Sequence, residues 1–122
     1  MKQLLNIDGR FPGLNEMTNA NRTNKFAGNK QKKKFTNLVA WECKAQKLKP
    51  LKKKIDVEVL WRCKDKRRDK DNVMAGQKYI FDGLQLAGII ENDGWGEIGD
   101  INHKFKIDKN EGVEVLLKEV QE

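Results

Sequence analysis

Between Lys54 and Trp61 the chain alternates, with Ile55, Val57, Val59 and Trp61 on one side and Asp56 and Glu58 on the other. That two-residue period predicts a strand with one buried and one wet face. Leu4, Leu5 and Ile7 predict a shorter strand near the start, ended by a turn over residues 8–13 that holds Gly9, Pro12 and Gly13. Residues 15–29, rich in Asn, Thr and Gly, follow neither the helical nor the strand period and read as a long polar surface loop. A helix is predicted from about Asn29, with Phe35, Leu38, Val39, Glu42 or Cys43, and Ala45 or Leu48 near a 3.6-residue repeat, broken by Pro50. Ile80, Phe81, Leu84 and Ala87 place a second helix over residues 73–87, with Gly88 suited to its C-terminal cap. Residues 101–107 alternate through His103 and Phe105, a turn follows at 108–112, and Val113, Val115 and Leu117 alternate again, so this pair reads as a closing hairpin. The sum is an α+β fold: a single small domain, residues 1–122, in which a mixed β-sheet carries two main helices on one face.

Composition narrows what such a domain does. Lys and Arg number 25 against 18 Asp and Glu, a net charge of +7 that draws the protein towards polyanions. Nucleic acid fits better than a membrane surface, because no basic amphipathic segment is joined to a lipidation signal or a strongly apolar face. No apolar run approaches the length of a bilayer span, and the first eight residues turn polar too early for a secretory signal, so a cytoplasmic location is expected. Cys43 and Cys63 form no C-x-x-C pair and His103 is the one histidine, which leaves no ordinary zinc site. Trp41 and Trp61 are expected in the core, and Trp95, between two glycines, is expected to be exposed.

The chain contains no serine, and its histidine has no cysteine nearby, so nucleophilic triads are unsupported. Neither G-x-x-x-x-G-K-[ST] nor G-x-G-x-x-G occurs. What stands out is Arg67-Arg68-Asp69-Lys70-Asp71-Asn72, two carboxylates one residue apart inside a basic run. Carboxylates repel a phosphate backbone, so a bound divalent cation would account for them. If extended geometry persists past the strand, Asp69 and Asp71 project to one side and can share a hard cation. Asp93, in the turn Asn92-Asp93-Gly94, is the third acid, and Lys78 supplies a cation able to stabilise charge on a phosphodiester. On the residues alone, a solvated surface ion-pair network explains the same acids equally well. Lys32, Lys33 and Lys34, expected in the first turns of their helix, oppose its dipole and hint at an approaching phosphate, though a solvated charge run is the commoner explanation.

Arg68-Asp69-Lys70-Asp71-Asn72, then Lys78-Tyr79-Ile80-Phe81-Asp82-Gly83-Leu84, Ala87-Gly88-Ile89-Ile90 and Asn92-Asp93, taken in order, resemble the RusA family of Holliday-junction resolvases. The resemblance is densest over residues 54–98. It implies a dimeric, Mg²⁺-dependent endonuclease, with Mn²⁺ as a substitute, that nicks four-way DNA junctions symmetrically and is often encoded by phages or prophages of a bacterial host. The family's catalytic and metal-binding acids would fall on Asp69, Asp71 and Asp93, and its lysine on Lys78, across a longer gap from Asp71. Asp82 matches a recurrent family aspartate that can equally play a structural part, and Asn72 stands beside it in a secondary role. Arg67, Arg68 and Lys70, with the helix lysines, would then contact DNA. The competing reading is a non-catalytic module that binds branched or single-stranded nucleic acid and needs the lysines but not the acids.

Overall fold

Alternation along β2 (Ile55–Cys63) has the predicted result: Ile55, Val57, Val59 and Trp61 are buried, while Asp56, Glu58 and Leu60 face the other way. In the computed structural model, which describes residues 1–120, this strand lies inside a four-stranded sheet with β1 (Lys2–Asp8), β3 (Ile98–Ile107) and β4 (Gly112–Glu119). The order is β1-β4-β2-β3, with β4 antiparallel to both of its neighbours and β3 parallel to β2. The inner face brings together Leu5, Ile7, Val113, Val115 and Leu117 with the β2 row, all buried.

Four helices accompany the sheet: α1 (Leu14–Thr23), α2 (Lys25–Ala45), α3 (Lys70–Met74) and α4 (Gln77–Leu86). Val39 and Cys43 of α2 and Ile80 and Leu84 of α4 are fully buried in the same core as the inner sheet face. The two main helices therefore cover one face, as expected. Gly83 permits their close approach, since a β-carbon there would collide with the Val39 side chain. Gly88 closes α4 with φ of 75°, the left-handed conformation a glycine adopts without a steric penalty.

Several expectations change. Residues 15–29 are not a loop but α1 and the opening of α2. Side chains and backbone caps hold these polar turns: Gly13 N–H donates to Glu16 Oε1 (3.3 Å), Asn15 N–H to Asn72 Oδ1 (3.0 Å) and Ala27 N–H to Asn24 Oδ1 (2.7 Å). Because α2 starts at Lys25 rather than Asn29, Lys32, Lys33 and Lys34 lie inside it and do not oppose the N-terminal dipole. The segment 73–87 is two helices, broken at Ala75 and Gly76 where the chain turns against Trp61, whose Cη2 would lie 2.8 Å from a β-carbon on Gly76.

The closing hairpin is also overturned. β3 and β4 are consecutive but not paired, because β2 lies between them. The connection crosses the end of β2, where Asp108 N–H donates to the Cys63 carbonyl (2.8 Å). Alternation identifies which face a strand buries; it says nothing about which strand lies alongside. β4, buried along its whole inner face, takes an interior place, and the more polar β3 takes the edge. Trp61 is in the core, whereas Trp41 is 65% exposed on the outer side of α2, contrary to expectation. No helix among the described residues is long and apolar enough to cross a membrane.

Candidate active site

At the end of β2 the Arg62 side chain, 8% exposed, ties four parts of the chain together. Its guanidinium reaches Asp8 (2.8 Å), Glu114 (3.1 Å) and the Asn6 side chain (2.8 Å), and its Nε donates to the Asn110 carbonyl (3.0 Å). Arg68 continues this frame, donating to the Phe11 carbonyl (2.9 Å) and lying 3.7 Å from Glu16 and 3.9 Å from Glu111. The loop between β2 and α3 is thus anchored at both ends, a role for Arg62 that local sequence did not reveal.

Asp69 and Asp71 are not on an extended segment. The strand stops at Cys63, residues 64–69 bend, Asp69 becomes the N-cap of α3 and Asp71 falls in its first turn. Asp69 makes no capping hydrogen bond, so its carboxylate is not committed to the backbone. It lines an open cleft of about 460 Å³ together with Asp65, Lys66, Lys70, Phe105 and Lys106, so an acidic pair stands among three lysines. Lys70 lies over the Phe105 ring, 5.4 Å from its centroid. Asp71 is exposed in the first turn of α3 and is not one of the residues that line this cleft; its Oδ1 accepts from Asn72 N–H (2.9 Å). The Asn72 side chain is occupied in capping α1, a structural contact.

Lys78 points along α4 to Asp82 (3.3 Å), whose other oxygen is 3.9 Å from Lys32 of α2. These three form a bridge between the main helices, and Asp82 Oδ2 has no hydrogen-bond partner among the described residues. Lys33 and Lys34 are exposed, Lys34 beside the Phe35 ring, and Arg67 is 90% exposed near Asp65.

Asp93 is elsewhere. Residues 89–97 fold back beside the start of β2, where Leu51 N–H donates to the Ile89 carbonyl and Ile55 N–H to the Glu97 carbonyl. Asp69 follows the end of that same strand, and nine strand residues span about 25–30 Å. Asp93 therefore stands at the opposite end of the domain from Asp69 and Asp71. Among the described residues no three His, Cys, Asp or Glu side chains gather as a metal site, so one chain by itself does not fit the three-acid metal centre that the resemblance implied. Trp95, two residues on, is 94% exposed.

His103 lies on β3 between the two ends. Trp61 Nε1–H donates to its Nδ1 (2.9 Å) and its Nε2 faces Gln77 Oε1 (2.7 Å), which fits the neutral ring with the proton on Nε2. Burial holds its pKa below the ordinary 6.5.

No curated protein sequence matches the chain. A family model described as endodeoxyribonuclease RusA matches residues 11–118, from Phe11 at the foot of the Arg68 anchor to the end of β4. With that match spanning the cleft, both main helices and three of the four strands, the chain belongs to the RusA endodeoxyribonuclease family.

Proposed function

We propose that this protein resolves four-way DNA junctions by Mg²⁺-dependent, paired symmetric nicks, acting as a homodimer in the cytoplasm of a bacterial host, with a phage or prophage origin. The family is one of endodeoxyribonucleases that resolve Holliday junctions; the metal, the pairing of the cuts and the dimer belong to this reading. The observation that carries it is the cleft beside α3, where Asp69 stands uncapped among Lys66, Lys70 and Lys106. Lysines alone would bind a phosphate backbone more tightly. Carboxylates in the same cleft weaken such binding, and a part in hydrolysis explains their presence.

In this reading Lys66, Lys70 and Lys106 hold the DNA backbone against the cleft, and the anchored 64–69 loop keeps Asp69 and Asp71 fixed relative to it. Lys78, held by Asp82, takes a supporting electrostatic part on α4. End-labelled junction, fork and duplex DNAs incubated with Mg²⁺ or with EDTA test it. The expected result is nicking confined to the junction and abolished by EDTA, with Asp71→Asn retaining junction binding and losing at least a hundredfold in rate, roughly the scale of a removed catalytic group. Equal cutting of duplex and junction, or wild-type cutting by Asp71→Asn, would contradict it. The separation of Asp93 from the other acids favours the second reading, a binding module; salt-sensitive junction binding with no nicking at all would establish that instead.

A further inference from the structure

The positive charge of the chain is concentrated in one place. From Met17 to Trp41 there are six Lys and Arg and no Asp or Glu, so this stretch, most of α1 and α2, carries +6 of the net +7. Of the six cations, Lys32 alone has an acidic partner among the described residues, Asp82.

Along α2, Phe26, Lys30, Lys33, Asn37, Trp41 and Lys44 follow one another at intervals of three or four residues, which puts them on one side of the helix. All six are exposed, Phe26 by 75% and Trp41 by 65%, while Val39 and Cys43 on the opposite side are buried in the core. The face shares no residue with the cleft at Asp69.

Lys30 stands three residues from Lys33 and four from Lys34, so these like charges repel and weaken the helix that carries them. An anion laid along the face removes that repulsion. Single exposed aromatics are ordinary. Two on one helical face, separated only by lysines and an asparagine, form the alternation that suits a nucleic-acid strand, with cations on phosphates and rings against bases. A membrane-binding helix would instead carry a continuous apolar side. A duplex hides its base faces in its own stack, whereas an unpaired strand presents them. At about 1.5 Å per residue the two rings are about 22 Å apart along the axis, so a strand of several nucleotides reaches both.

We propose that the outer face of α2 binds an unpaired nucleic-acid strand, with Phe26 and Trp41 stacking on bases and Lys30, Lys33 and Lys44 holding the phosphates between them. Binding here needs neither a metal nor the acids of the cleft, and it rests on neither account of those acids. It gives the protein a preference for DNA that contains unpaired segments over plain duplex.

Fluorescence anisotropy in EDTA tests this, with a labelled oligothymidylate of about 15 nucleotides, near the upper site size of one binding domain, and a duplex of the same length. Trp41→Ala should weaken single-strand binding by about fivefold or more, the loss of one stacked base, and change duplex affinity by less than about twofold. Phe26→Ala should act in the same direction, and Trp41→Phe, which keeps a ring, should recover most of the affinity. Lys30→Ala combined with Lys33→Ala should lower the single-strand salt slope by about 1.4, from two contacts at about 0.7 each. Both aromatic side chains project into solvent, so the variants should melt as the wild type does.

Wild-type single-strand affinity in Trp41→Ala overturns the proposal, and so does an equal loss on duplex, which would leave attraction to the backbone alone. Wild-type binding to phosphatidylserine vesicles that Trp41→Ala abolishes, with oligothymidylate affinity unchanged, overturns it in favour of a membrane surface. Because every titration is free of metal, none of these results depends on whether Asp69 and Asp71 cut DNA, and a failure of the nuclease reading leaves the strand site to be judged by itself.

Discussion

His103 shows how one residue can report on the state of the fold. Its Nδ1 accepts from Trp61 and its Nε2 meets an acceptor on Gln77, so protonation would set an imidazolium N–H against the indole N–H. With the folded pKa below the unfolded value of 6.5, the unfolded chain binds the extra proton over the interval between the two. The contribution to stability is therefore complete above pH 6.5 and is lost as pH falls through the folded pKa. Thermal melts at pH 7.5 and pH 5.0 should show a drop in Tm for the wild type that is reduced in His103→Gln; an unchanged drop would remove His103 as its source. Little of this was legible beforehand, since Trp61 and Gln77 lie 42 and 26 residues away. The same holds for Arg62, whose partners Asn6, Asp8 and Glu114 all lie more than 50 residues distant. By contrast, the acids, lysines and exposed Trp95 stood out from their immediate neighbours, because charge and flanking glycines are properties of the local chain.

The helices and strands were legible wherever burial imposed a period. β1, β2 and the cores of α2 and α4 follow their apolar spacing, while α1, none of whose residues is fully buried, offers only Leu14, Met17 and Ala20 among polar neighbours, with Met17 half-buried against the core. Its signals were its caps, above all Glu16 three residues after Gly13 and Asn24 ahead of α2. Gly83 illustrates the opposite case, in which a residue unfavourable for a helix is required by packing. In an isolated helix alanine is better than glycine by about 1 kcal/mol. Here the added methyl group meets Val39, and overpacking of this kind costs about 1–3 kcal/mol. Urea denaturation should thus show Gly83→Ala to be less stable than wild type; a stabilised variant would mean that α2 moves aside without cost.

For the whole molecule, charge and topology act together. The net charge of +7 predicts salt-sensitive junction binding, and the cleft lysines should carry part of it. Each lost phosphate contact lowers the slope of log K against log salt by about one. Lys70→Ala and Lys106→Ala should each show that reduction in titrations between low and moderate salt, while Lys118→Ala, exposed on β4 away from the cleft, should leave the slope alone. A uniform effect of all three would point to diffuse attraction without a defined DNA path.

From the sequence alone came the class of fold, the buried face of β2, the two main helices, the basic surface and the family-like order of Asp69, Asp71, Lys78, Asp82 and Asp93. Each of these depends on residues close together in the chain, where period, charge and motif order are directly visible. Only the tertiary structure decided that β4 separates β1 from β2, that β3 is left as an open edge, and that Asp93 stands a strand's length from the other acids. Strand order and the distance between remote loops are set by hydrogen bonding and packing between segments far apart in sequence, and the same run of residues is compatible with several such arrangements.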